Sequence, residues 1–349
     1  MALARFSPAG WSVPANTRGN ARASTRWLCQ ESRSSRACRV WSTSSLDSNT
    51  STSTSSYEWR GFKLAYTSTP ASRPPADATR TPALVLVHGF GSSKNHFRKL
   101  LAPSAFEGAD VYAIDLLGFG ESEKPTTTEY NMRLYRDQVI HFIETQVPRG
   151  APVHLVGNSI GSLASLMVGA SDEPTNLASI TLLNCAGGLN NKGAAKEWFT
   201  KIVLPIFWLI DLILWSSYGP KLFDNVRSET NLRQVLTNLY PSNPDAVDDD
   251  LVRQFVQPAE DPNAFHVFRE IYTTSDAGPY PLDLLDDISC PIHVMWGSKD
   301  GLTPSMGPVG RGLRAKAAAF VEVPGAGHVF FDERPDETIL KINEWIAKF

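Results

Sequence analysis

Val153-His-Leu-Val-Gly157-Asn-Ser159-Ile-Gly161-Ser162 is the stretch that decides how this chain folds. A short apolar run ends in Gly-Asn-Ser-Ile-Gly, and an alanine- and leucine-rich segment, Leu163 to Ala170, follows with no room for a loop. That order reads as a buried strand, a strained turn and a helix, which together lift one hydroxyl above a sheet edge. The two glycines have a steric reason, because a side chain at 157 or 161 would strike strand or helix where the chain doubles back. Ser159 is therefore the candidate nucleophile. A serine that merely caps a helix fits the pentapeptide alone, so the rest of the chain must decide.

Working outward, Ala83 to Val87 is continuously apolar, as a strand covered on both faces should be, and ends in His88-Gly89-Phe90-Gly91. Similar runs cover Val111 to Asp115, Val153 to Val156, Ile180 to Leu183, Ile292 to Trp296 and Phe320 to Val323. Helical patterns at Met132 to Val147 and Leu163 to Ala170 separate some of them, so strand and helix alternate. This predicts an α/β fold with a mostly parallel, doubly wound sheet. Tyr57 to Tyr66 alternates around Gly61 and predicts an antiparallel hairpin at the entrance.

In such sheets ligands sit at the carboxyl ends of the strands. The fifth apolar run after residue 82 leads into Trp296-Gly-Ser-Lys-Asp300, and the sixth into Val323-Pro-Gly-Ala-Gly-His328. Serine, aspartate and histidine thus follow one another in the order this kind of sheet uses for a proton-relay triad. A serine hydroxyl needs a neighbouring base to take its proton as it attacks, which is the role read for His328, with Asp300 orienting the imidazole. The backbone N–H groups of Ile160 and Phe90 are the expected donors to a developing oxyanion. Among rivals, Asp115 ends a strand before the serine and reads as a loop-fixing residue. Asn184 stands at the other acid position but cannot be a carboxylate. His96, just past the Gly89–Gly91 loop, is a candidate pocket residue.

Residues 187–280 break the alternation and predict a helical cap inserted between a core of 57–186 and 281–349. Trp198 to Trp215 is apolar nearly all round, with only Lys201 and Asp211 charged. Its 18 residues approach the ~20 of a bilayer span, but Pro205 and Asp211 argue against one. A helix apolar on every side is either buried on the core or lines an apolar pocket or touches a membrane. The expected substrate contacts are Gly89, Gly91, Asn158, Trp208 of this helix, and Val329. Asp248-Asp-Asp250 reads as a solvated helix start.

The first 56 residues hold seven arginines, no lysine and only Glu31 and Asp47 as acids, with a serine/threonine tract from Ser42 to Ser56. This fits an organellar transit peptide, of plastid type by its hydroxyl content, and equally a disordered tail. Without it, Lys plus Arg falls from 33 to 26 and Asp plus Glu from 36 to 34, leaving about −8 and no basic footprint for nucleic acid. Cys185 and Cys290 read as small buried hydrophobes, and the pattern offers neither a metal-ligand cluster nor a cofactor motif.

Tyr112-Ala-Ile-Asp-Leu-Leu-Gly-Phe-Gly120, Gly157-Asn-Ser-Ile-Gly-Ser-Leu163, Leu182-Leu-Asn-Cys-Ala-Gly-Gly-Leu-Asn-Asn-Lys192 and Trp296-Gly-Ser-Lys-Asp-Gly-Leu-Thr-Pro304 together resemble the plastid α/β-hydrolases called chlorophyll dephytylases, relatives of pheophytinase. The resemblance spans nearly all of 57–349. It implies the α/β-hydrolase fold, Ser159, Asp300 and His328 as the triad, and a chloroplast, thylakoid-associated esterase that removes phytol from chlorophyll or pheophytin, with no cofactor. One departure is Val329-Phe-Phe-Asp-Glu333, where related enzymes place a Cys-Pro pair beside the histidine. The residues themselves also fit a lipase or esterase acting on glycerolipids. A carbon–carbon bond hydrolase shares the Gly-Asn-Ser turn but usually has tryptophan after the histidine. A receptor built on the same fold is the non-catalytic alternative.

Overall fold

In the computed structural model, residues 51–76, 81–172, 175–190 and 208–349 are described, all within a unit spanning 47–349. Eight strands form one sheet in the order β1-β2-β4-β3-β5-β6-β7-β8. They are β1 (Ser53–Trp59), β2 (Phe62–Thr69), β3 (Ala83–Val87), β4 (Asp110–Ile114), β5 (Val153–Asn158), β6 (Leu177–Leu183), β7 (Ile292–Gly297) and β8 (Ala319–Val323). The β1–β2 and β2–β4 pairings are antiparallel, and every other pairing is parallel.

Strands β3, β5 and β7 are buried along their whole length, as their apolar sequence demands, whereas the edge strand β8 leaves Glu322 exposed. Ala83, Val85 and Val87 join one buried cluster, with helices α1 (Met132–Gln146) and α2 (Ile160–Gly169), while Leu84 and Leu86 join a second cluster on the opposite face. Period-two alternation splits one apolar strand between two cores. Truncating Leu86 to alanine would remove about 2–5 kcal/mol. Helix α1 begins where the Asn131 side chain accepts the Leu134 N–H at 2.9 Å, satisfying a group the helix leaves unpaired.

The hairpin is longer than the sequence suggests, because Ser53 to Ser56, expected in the leader, pair residue by residue with β2. Ser53 to Ser56 make a strand with cross-strand contacts, Thr54 to Thr67 at 3.1 Å and Ser53 to Ser68 at 3.3 Å. Composition alone could not separate an exposed edge strand from a tail. Arg60 and Gly61, at φ 53° and 79°, supply the two-residue turn. The remainder of the expected leader, residues 1–50, lies outside the described residues.

Between β6 and β7 stand α3 (Gly219–Val226), α4 (Glu229–Leu239), α5 (Asp249–Ala259) and α6 (Ala264–Thr273). Asp248 caps α5 by accepting the Leu251 N–H at 2.7 Å, so the acidic triplet is a helix start. Of the apolar stretch 198–215, residues 198–207 lie outside the described residues, and 208–214 are helical. Trp208, Leu209, Leu212, Trp215 and Tyr218 are exposed, whereas Leu214 is buried. Among the described residues, no helix is long and apolar enough to cross a membrane. The chain closes with α7 (Pro308–Lys316), the short α8 (Phe330–Glu333) and α9 (Pro335–Ile346).

Candidate active site

Ser159 sits between the last residue of β5 and the first of α2, at φ 55° and ψ −117°. Such a backbone costs an L-residue on the order of 1–3 kcal/mol and persists only where its surroundings hold it. Here the Ser159 N–H donates to the Leu183 carbonyl at 3.0 Å, and the Ser159 carbonyl accepts from Ala186 at 3.2 Å. A Cβ on Gly157 would collide with the Gly161 backbone, and one on Gly161 with the carbonyl oxygens of Val87 and His88. The two glycines therefore let helix α2 close directly onto strands β5 and β3.

The loop after β3 meets the same turn. A Cβ on Gly89 would come within 2.9 Å of Asn158 Oδ1 and 3.2 Å of Ser159 Cβ, so the backbone leading into Phe90 runs against the candidate nucleophile. His88 fixes this loop. Its Nδ1–H donates to the Gly89 carbonyl at 2.7 Å and its Nε2 accepts the Leu116 N–H at 3.1 Å. Burial lowers its pKa, as an acceptor nitrogen requires. Gly91 turns the loop with φ +68°. Ile160 opens α2, where the first N–H groups have no partner within the helix.

Asp300 and His328 come together. Asp300 Oδ2 lies 2.8 Å from His328 Nδ1 and accepts the Thr303 hydroxyl at 2.6 Å, while Oδ1 accepts the N–H groups of Leu302 at 2.8 Å and Thr303 at 3.0 Å. Both side chains are nearly inaccessible, at 0% for Asp300 and 6% for His328. With Nδ1–H donating to the carboxylate, Nε2 is the nitrogen left to act as a base. Trp296 holds the Asp300 loop from behind, its indole N–H donating to the Thr303 carbonyl at 2.7 Å.

Other expected residues take different parts. Asn158 is buried and its amide donates to the carbonyls of Leu183 at 3.2 Å and His328 at 3.3 Å, which makes it a brace between the serine strand and the histidine loop. Val329 packs in the second apolar cluster at 3% exposure, not on an open wall. Trp208 stands 67% exposed on the cap surface. His96 does not line a pocket, since it is buried between Ser92 Oγ at 3.0 Å and Tyr240 OH at 2.8 Å. Cys185 is buried and Cys290 packs against the core, and burial raises both thiol pKa values. Among the described residues, no group of three or more His, Cys, Asp or Glu side chains is placed to hold a metal ion.

Asn184, which as an amide cannot serve as the acid, has a different part in the structure. At φ 50°, its side-chain amide donates to the Gly327 carbonyl, and its Oδ1 accepts the Gly297 N–H at 2.8 Å. Its place at a strand end was visible in the sequence, but its left-handed backbone was not.

The alpha/beta hydrolase family model matches residues 84–340. The uncharacterized hydrolase YugF of Bacillus subtilis (strain 168) is 28% identical over 269 residues, covering 76% of this chain and 89% of that protein. The probable lysophospholipase BODYGUARD 1 of Arabidopsis thaliana is 23% identical over 268 residues, 73% of this chain and 56% of that protein, so the chain spans little more than half its length. A solved membrane phospholipase A, described as a bacterial virulence factor, superposes with a TM-score of 0.62 at 23% identity, covering 85% of this chain and 86% of that one.

Proposed function

The chain belongs to the α/β-hydrolase family, and on that premise we propose that it is a serine carboxylic-ester hydrolase whose substrate is the phytyl ester of chlorophyll or pheophytin. The observations that carry the ester-hydrolase part are the Asp300–His328 hydrogen bond at 2.8 Å and the Asn158 amide, which donates to the His328 carbonyl at 3.3 Å from the position next to a serine held at φ 55°. Ser159 Oγ attacks the ester carbonyl while His328 Nε2 takes its proton, and Asp300 stabilises the imidazolium. The N–H groups of Ile160 and Phe90 receive the charge that develops on the carbonyl oxygen. His328 then protonates the departing alcohol, and a water repeats the sequence on the acyl-enzyme.

The phytyl ester is supported by the four sequence motifs quoted above and by the exposed apolar side of the cap, Trp208, Leu209, Leu212 and Trp215. A substrate with a long isoprenoid chain resides in lipid, so this face is read as the side turned to the thylakoid surface. A glycerolipid ester is the second reading, favoured by the relatives that carry lysophospholipase or phospholipase names. Detergent-dispersed chlorophyll and a lysophospholipid, offered together to wild type and Ser159→Ala, test both. Chlorophyllide from the wild type alone supports the first reading, fatty acid without chlorophyllide the second, and equal product from both proteins refutes Ser159 as nucleophile.

A further inference from the structure

We infer that Glu333, five residues beyond His328, is a positioning residue for that histidine and holds it by clamping the His328 loop to the cap at Ser242. The inference rests on the ester-hydrolase reading of Ser159 and His328.

Glu333 is a carboxylate at 2% exposure with both oxygens committed. Oε2 accepts the Gly327 N–H at 2.7 Å, directly before the histidine, and Oε1 accepts both the N–H and the hydroxyl of Ser242 at 2.5 Å. A buried carboxylate held by N–H and O–H donors on two separate segments fixes the distance between them. Ser242 lies in the connection between cap helices α4 and α5, and the neighbouring Tyr240 makes a parallel link. The Tyr240 hydroxyl donates to Asp332 Oδ2 at 3.0 Å and lies 2.8 Å from His96 Nε2, whose Nδ1 meets Ser92 Oγ at 3.0 Å. Because Tyr240 donates to Asp332, His96 must donate to Tyr240 and accept from Ser92, which gives every proton one place.

Burial lowers the His96 pKa to about 4, which keeps it neutral as that pattern requires. Arg98 closes the far end, its Nε 3.1 Å and Nη2 3.2 Å from the two Asp332 oxygens. Two adjacent carboxylates just past the histidine therefore tie one cap connection both to the histidine loop and to the segment after Gly91. There is no slack in the arrangement: a Cβ on Gly327 would run into the Leu239 carbonyl and the Pro241 ring. The cap is part of the mount on which His328 sits.

The test uses the full chain as wild type, Glu333→Gln and Ser242→Ala, with p-nitrophenyl acetate, which is too small to need the cap for binding, and a fluorophosphonate probe. A glutamine can accept at one segment but presents an NH2 group to the donors of the other. Glu333→Gln should lower kcat roughly 10- to 100-fold with KM held within about twofold, and should displace the acid limb of the kcat/KM profile that reports the histidine. Ser242→Ala, which keeps the backbone donor and guards against a glutamine variant that fails to fold, should shift the same quantities in the same direction by less. A folded Glu333→Gln, or a Ser242→Ala where the former is insoluble, with kcat and acid limb unchanged would overturn the inference alone. A wild type inert to both ester and probe would overturn it together with the ester-hydrolase reading.

Discussion

The side-chain amide of Asn184 donates to the carbonyl oxygen of Gly327 at 3.0 Å, so a residue at the end of β6 supports the loop that ends in His328. Its oxygen accepts the Gly297 N–H, at the root of the Asp300 loop. Replacing it by glycine keeps the φ of 50° accessible but strands both groups, at a cost of about 1–3 kcal/mol. Urea unfolding of Asn184→Gly should show that loss together with slower ester turnover. A variant as stable and as fast as the wild type would remove Asn184 from the account.

Asp300→Asn tests the tautomer argument. An asparagine can place an N–H where the carboxylate oxygen now faces His328 Nδ1, which turns the imidazole's proton to the wrong nitrogen. The kcat for a p-nitrophenyl ester should fall on the order of 10⁴-fold with folding largely intact. A drop of less than tenfold would assign the orienting role elsewhere.

Gly161→Ala and Gly108→Ala form a paired steric test. The first places a methyl group against the Val87 and His88 carbonyl oxygens, whereas the second meets nothing within 4 Å. Thermal unfolding should separate them widely, with Gly161→Ala insoluble or strongly destabilised and Gly108→Ala within about 1 kcal/mol of wild type. Similar behaviour would mean that helix α2 is not seated on β3 as described.

Stability should fall as pH drops below the usual histidine range. Burial lowers the pKa values of His96, His154 and His293 to about 4, from 6.5. The unfolded chain takes up these protons near 6.5 and the folded chain does not, so stability is full above that pH and is lost toward 4. Each histidine contributes a slope on the order of 1.4 kcal/mol per pH unit in that window. Urea midpoints measured between pH 7.5 and 5 should decline, and His154→Gln should flatten the slope. A pH-independent midpoint would contradict the buried, neutral state of these rings.

Exposed apolar side chains on the cap predict a substrate-dependent defect. Trp208→Ser with Leu212→Ser should slow hydrolysis of a long-chain ester presented on vesicles by roughly tenfold or more while leaving p-nitrophenyl acetate turnover unchanged. Equal rates on vesicles would show that lipid does not meet this face.

The sheet was largely legible because a parallel strand buried on both faces must be apolar throughout, and few other elements are. Chain order and sheet edge then point to Ser159, Asp300 and His328, of which the structure pairs the last two at 2.8 Å. Supporting residues were not legible for a different reason. Asn158, Asn184 and Glu333 act through hydrogen bonds between segments far apart in the chain, and no local pattern records a partner 143 residues away, as for Asn184 and Gly327. Val329 misled for the same reason, because adjacency to a histidine says nothing about which way a side chain turns. Ser53 to Ser56 belong to a strand that composition does not mark, since threonine and serine suit an edge strand as well as a solvated tail.

A shared mount limits how freely this molecule can be recombined. Grafting a foreign lid in place of residues 187–280 would carry away Tyr240 and Ser242, leaving Asp332 without its tyrosine and stranding one oxygen of Glu333. A chimaera that retargets the enzyme would have to transplant that short connection along with the new lid or lose rate for every substrate, old and new.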